Sequence, residues 1–185
     1  SLDKTELDLD LDHDFNFLAV AQWGPRKNLK NTIKWFMDEF KNDKVGLVVK
    51  TNLAKNCVFD RIAMTNKIKT TVAKFPDAKC SVHLLHGYMT EKEMNGLYTH
   101  PKIKALVSIT HGEGFGLPLF EAAYNSLPII ATNWSGHLDF LHMPVKNKKG
   151  KVKDKPMFSR IAYDLKEIGK ASRWDGVLDK DAKWA

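Results

Sequence analysis

No apolar run in this 185-residue chain approaches the roughly 18 residues needed to cross a bilayer as a helix, and the N-terminus lacks the basic-then-apolar order of a secretory leader. Cysteine is scarce: Cys57 and Cys80 stand far apart with no Cys-x-x-Cys spacing, which excludes a disulfide framework and a zinc ribbon. The expectation is a soluble, cytoplasmic protein with reduced thiols. Metal-ligand patterns are equally thin. Asp8, Asp10 and Asp12 begin like a calcium loop, but His13 stands at the glycine position and Ala19 at the closing acid, so no metal site is expected.

The charge is uneven. Residues 1–14 hold six acids against one lysine, so the net +7 of the chain leaves a strongly basic body behind an acidic linker or edge segment. Such a body suits anionic partners such as nucleic acid, an anionic membrane surface or phosphorylated small molecules, and also serves plain solubility. With 43% hydrophobic residues the chain can close one core, which predicts one domain over residues 15–185.

Hydrophobic periodicity gives the order of elements. An apolar run at 15–21 ends at Gly24-Pro25, and Leu29, Ile33, Phe36, Met37 and Phe40 then recur at helical spacing. Further strands are predicted at 45–50, 81–85, 103–109 and 128–131, and helices at 58–75, 90–98 and 117–125. Thr90 and Glu93 form a capping-box pattern. Five strand and helix alternations predict a doubly wound α/β domain with a parallel sheet, whose ligands lie at the carboxyl ends of the strands. The loops after Ala21, Leu85, Ile109 and Ala131 should therefore line one crevice. Residues 146–155 read as a lysine-rich solvated loop, and 158–168 as a helix. The end, from Trp174 to Ala185, stops without a closing helix, which suggests a chain cut short.

Chemistry concentrates after the fourth strand. Gly112, Glu113, Gly114, Phe115 and Gly116 open a helix at Leu117, an arrangement that presents free amides and the positive end of a helix dipole to an anion such as a diphosphate. The same glycines also suit a turn that holds nothing. Glu113 and Glu121 offer two carboxylates to sugar hydroxyls, one for a hexose and one for a ribose. Arg26 and Lys27 follow Gly24-Pro25 just before a helix, where cations neutralise phosphates as readily as they face water.

In this order, Arg26-Lys27-Asn28, Glu113-Gly-Phe-Gly-Leu-Pro-Leu-Phe-Glu121, Leu127-Pro-Ile-Ile-Ala-Thr and Ser135-Gly136 make residues 15–141 resemble the C-terminal, Rossmann-like donor-binding domain of retaining GT-B glycosyltransferases of family four. The resemblance implies that Glu113 contacts the transferred sugar and Glu121 the ribose hydroxyls. It implies that Gly114, Phe115, Gly116 and Leu117 meet sugar and diphosphate, and that Lys27, with Arg26, meets the phosphates. It implies a UDP- or GDP-linked sugar as donor, retention of configuration, no bound metal, and an N-terminal acceptor domain outside this chain. A lipid-linked acceptor at a membrane surface is compatible with it. Where the family often has Gly-Arg after the first strand, this chain has Ala21-Gln22.

Two other classes fit the sequence less well. In an NAD-dependent dehydrogenase the third glycine would fall on Leu117 or Leu119, and the strand at 128–131 runs into Thr132-Asn133 rather than an acid. A basic nucleic-acid-binding module would interleave aromatics with the lysines of 146–155, and none are there.

Overall fold

A computed structural model describes residues 3–173 and 181–185. Five parallel strands follow the predicted order: β1 (Asn16–Val20), β2 (Gly46–Lys50), β3 (Ser81–Leu85), β4 (Ile103–Ser108) and β5 (Ile129–Thr132). Between them lie α1 (Leu29–Glu39), α2 (Val58–Val72), α3 (Glu91–Tyr98) and α4 (Leu117–Tyr124). Each strand is short, apolar and bounded by turn residues, and each helix follows within the next loop. Only the parallel pairing with crossover helices satisfies that spacing. Thr90 accepts from the Glu93 amide while the Glu93 carboxylate takes the Thr90 amide at 2.7 Å, so the capping box starts α3 as predicted.

The sheet order β3-β2-β1-β4-β5-β8, where β8 is Ser159–Ile161, puts β1 and β4 at its centre, both pairing in parallel. Helices on both faces bury two apolar layers. Ala19, Leu47 and Val49 meet Ile33, Phe36 and Met37 of α1 on one face, while Leu18, Val48 and Leu106 meet Leu97, Leu119 and Ala122 of α3 and α4 on the other. Alternation along each strand sends neighbouring residues to opposite faces, so both layers need β-branched and leucine residues in sequence.

Two segments differ from the expectation. Residues 158–168 are not helical. Ser159–Ile161 form β8, which adds to the sheet beside β5, and Lys166–Glu167 form β9, which pairs with β10 (Lys183–Trp184). The apolar residues Phe158, Ile161, Leu165 and Ile168 do carry a helical period, but β5 is buried and would otherwise present an unpaired edge. Pairing that edge outweighs the local period. Residues 146–155 are also more ordered than a loop. They belong to an antiparallel hairpin of β6 (His142–Lys146) and β7 (Val152–Pro156), preceded by a single helical turn, α5 (Leu138–Leu141). Of the C-terminal stretch, 174–180 lies outside the described residues.

The acidic segment lies extended along the domain without joining a sheet. Leu7, Leu9 and Leu11 point inward against the α3 layer while Glu6, Asp8, Asp10 and Asp12 alternate outward. The Thr5 amide donates to the Lys92 carbonyl, and a Cβ on Gly96 of α3 would stand 2.0 Å from the Thr5 carbonyl oxygen. Glycine at 96 is thus what lets the segment lie against α3. Gly96→Ala should release that segment and lower stability by about 1–3 kcal/mol, read as a fall in the urea midpoint together with new protease cleavage between residues 3 and 12. Unchanged cleavage would show that the segment does not depend on this close approach.

Candidate functional site

All six strands of the main sheet run the same way, so the loops following β1, β2, β3, β4 and β5 gather at one edge. After β1, a 3-10 turn at Pro25–Lys27 and a left-handed Asn28 lead into α1. This turn is fastened to the loop after β4: the Arg26 carbonyl accepts from the His111 amide at 2.9 Å and from the Thr110 hydroxyl at 3.2 Å, while the Arg26 guanidinium donates to the Gly112 carbonyl. The loop after β5 fastens the other side. The Glu113 amide donates to Ser135 Oγ at 2.6 Å, Ser135 Oγ donates to the Glu113 carbonyl at 3.0 Å, and the Gly136 amide donates to that same carbonyl. A Cβ at Gly136 would lie 1.8 Å from the Gly114 carbonyl oxygen, so only glycine permits the contact.

The glycine loop ends at Gly116, whose φ of 88° lies in the left-handed region, and α4 begins at Leu117. The expected supply of free amides comes chiefly from the loop rather than from the first helical turn. Pro118 has no amide hydrogen, and the Leu119 and Phe120 amides both donate to the Gly116 carbonyl. Among the described residues, the amides of Gly114, Phe115, Gly116 and Leu117 have no acceptor. Four consecutive unpaired donors at a helix start form an anion cradle.

Glu113 turns its carboxylate onto both cations of the first loop. Lys27 Nζ lies 2.6 and 2.7 Å from its two oxygens, and Arg26 Nη1 lies 3.1 Å from Oε2. The Glu113 side chain is 9% exposed, Lys27 18% and Arg26 53%, so Lys27 makes the more shielded pair. One carboxylate against two cations leaves a positive surplus beside the unpaired amides. An anion placed there would compete with Glu113 for the lysine and free the carboxylate to accept hydrogen bonds.

Glu121 occupies a different part of the crevice. Buried Tyr98 donates its hydroxyl to Glu121 Oε2 at 2.8 Å, and burial, reinforced by that carboxylate, drives the phenol pKa far upward, so the hydroxyl remains a donor. Glu121 and Leu117 line a cavity of about 710 Å³ together with Met89, Met94, Phe120 and Tyr124. Glu113 is not part of its wall. The predicted residues thus fall into two groups: Arg26, Lys27 and Glu113 in direct contact, and Leu117 and Glu121 on the cavity, with Gly114, Phe115 and Gly116 joining them. Gln22, which stands where the family often has arginine, donates to the Leu53 carbonyl at 2.8 Å.

Three supporting residues, Asp60, His86 and His137, lie outside the predicted site residues. Asp60, near the start of α2, takes the amides of Leu53, Ala54 and Lys55 and bonds His86 Nε2 at 2.9 Å. It thereby ties the loop after β2 to the loop after β3. Burial alone would raise its pKa, but the three amides and His86 together outweigh burial and hold the carboxyl well below its ordinary range. No spacing in the sequence marks this pair, because its members meet only through the fold. His137 is fully buried and bonds the Thr132 carbonyl at 2.7 Å, while its Cβ lies against Gly116.

The fold and the crevice together define a doubly wound α/β domain with a row of unpaired amides after its fourth strand. Comparison with known proteins is more specific. The family described as glycosyl transferases group 1 matches residues 8–155, and the chain belongs to that family. The C-terminal domain of the group 1 glycosyl transferase LpcC from Francisella tularensis is similar over 82% of this chain and 69% of that one, at 14% identity and a TM-score of 0.54. The E. coli trehalose-6-phosphate protein bound with UDP-2-fluoro glucose is similar at 11% identity over 69% of this chain, with a TM-score of 0.53. A glycosyltransferase from Rickettsia africae gives 15% identity, 71% coverage and a TM-score of 0.51. The match takes in only 31% of each of the last two chains. No curated protein sequence matches. These likenesses establish the fold of a GT-B C-terminal domain.

The depressed carboxyl of Asp60 has a definite pH consequence. A folded pKa below the unfolded value of about 3.9 adds stability at neutral pH that is lost as pH falls below that value. Asp60→Asn should lower the urea midpoint at pH 7 and shrink its further drop on going to about pH 3. An equal drop in both proteins would mean that Asp60 does not contribute to acid sensitivity.

Proposed function

We propose that this chain is the donor-binding half of a glycosyltransferase that transfers a sugar from a UDP- or GDP-linked donor to a hydroxyl, with retention and without a bound metal. The observation that carries the reading is the row of four unpaired amides at 114–117 beside Lys27 and Arg26. Amides and cations in that position would receive the diphosphate and stabilise the charge that grows on it as the sugar leaves. Lys27 exchanging Glu113 for phosphate would release the Glu113 carboxylate to a sugar hydroxyl. This links donor arrival to sugar positioning. Glu121, with one oxygen held by Tyr98, would offer the other to the ribose in the neighbouring cavity. The E. coli relative that holds UDP-2-fluoro glucose shares this fold, which supports the class of donor.

The acceptor domain belongs to the proposal as well, because the chain spans under a third of the length of the larger relatives. The cytoplasmic setting rests on the free thiols of Cys57 and Cys80. Titration with UDP, GDP and their sugars should raise the thermal midpoint, by up to about 2.7 kcal/mol of added stability at a hundredfold excess over Kd. Glu121→Ala should weaken that binding by about tenfold or more, as expected for a lost charged hydrogen bond. No protection by any nucleotide, or equal affinity in the variant, would overturn the donor-site assignment.

A further inference from the structure

The hairpin of β6 and β7 lies outside the six-stranded sheet, inserted in the crossover from β5 to β8. It concentrates Lys146, Lys148, Lys149, Lys151, Lys153 and Lys155 against a single acid, Asp154, in a chain whose whole surplus is +7. All six lysines are exposed. Their presentation is ordered. The Asn147 side chain accepts from the Lys149 and Lys151 amides at 2.9 and 3.0 Å, and Gly150, at φ 79°, closes the turn, so Lys148, Lys149 and Lys151 crown the tip. Directly paired residues share a face of the ribbon. Met143 pairs with Lys155 and Val145 with Lys153, so one face alternates apolar and cationic groups with no acid. Met143, on that face, is 52% exposed; Val152, paired with Lys146 on the other face, and Met157, just past the ribbon, are 56% and 58% exposed.

We propose that this hairpin docks the domain on an anionic lipid bilayer. Clustered lysines with flexible apolar side chains between them match that surface: the ammonium groups reach the headgroup phosphates while methionine and valine enter the boundary beneath. Nucleic acid is the less suited polyanion, because residues 142–157 hold no Phe, Tyr or Trp on which bases would stack. Solubility alone requires neither exposed methionines nor an ordered cationic tip. The remaining charge orients the domain. The acidic N-terminal segment reaches the far edge of the sheet, where Asp12 pairs with His83 of β3, while the hairpin adjoins β5 and β8. One helical turn separates the hairpin from Gly136, which packs on the glycine loop, so docking would hold the anion cradle near the bilayer. This inference does not depend on which donor the cradle takes.

The test is flotation of the full chain with vesicles of phosphatidylcholine alone and of equal parts phosphatidylcholine and phosphatidylglycerol. Binding is expected only to the mixed vesicles and should weaken with salt. Each lysine near an anionic surface adds about fivefold to partition, so Lys148→Gln, Lys149→Gln and Lys151→Gln together should reduce it about a hundredfold. The thermal midpoint should stay the same, because these side chains are exposed. Met143→Ser with Met157→Ser should also reduce partition, most clearly at high salt, where apolar insertion remains. The proposal is overturned by equal binding to both vesicle types, by a triple variant that binds as well as the parent, or by inert vesicles beside lysine-dependent binding of a single-stranded oligonucleotide.

Discussion

The clasp between the loops after β4 and β5 is the contact on which the crevice depends. Ser135 bonds both the amide and the carbonyl of Glu113, and Gly136 approaches Gly114 so closely that no side chain fits between them. With its carbonyl engaged from that side, Glu113 presents its carboxylate to Lys27 and Arg26. The loop then reaches Gly116 with the amides of 114–117 unspent. Without the clasp, those donors would find water or fold back on the chain. The fold's general tendency to gather loops at the carboxyl edge becomes a defined site through this one fastening.

Electrostatics in the crevice follows from unequal numbers. Two cations face one carboxylate, and the unpaired amides lie next in sequence to that carboxylate. A pair such as Lys27 and Glu113 is not a durable lock, because a doubly charged ligand exerts a stronger pull on the ammonium group than a single carboxylate. Partial shielding of both groups strengthens this competition compared with an open surface. Tyr98 plays a simpler part at Glu121. Its buried hydroxyl has one available acceptor and stays protonated, so it fixes one carboxylate oxygen and leaves the other to the cavity.

Most of the doubly wound core was legible because its elements carry their own signals. Leu29, Ile33, Phe36 and Met37 repeat at helical spacing and all prove buried, and Thr90 with Glu93 marks a helix start that forms as written. The family resemblance likewise rests on local motifs and agrees with the match over 8–155. What escaped depends on distant partners. The period through Phe158, Ile161 and Leu165 favours a helix, but the open edge of β5 imposes a strand. Asp60 and His86 lie 26 positions apart, and nothing near either one announces the other. The amides anticipated at 114–117 have no acceptor among the described residues, while the Gly116 carbonyl takes the next two helical donors, Leu119 and Phe120.

The hairpin escaped for a compositional reason. Lysine is a weak strand former, and six of them conceal the Met143, Val145 and Val152 positions that pair across the ribbon. A two-stranded ribbon is marginal in isolation. This one is closed by the Asn147 turn at its tip and fixed at its base, where Phe158 packs edge-on against His142 and the Met157 amide donates to the Leu141 carbonyl. The same Phe158 also meets the ring of His137, whose Cβ lies against Gly116. The anchor of the basic ribbon and the residue behind Gly116 therefore share one aromatic contact, that of Phe158.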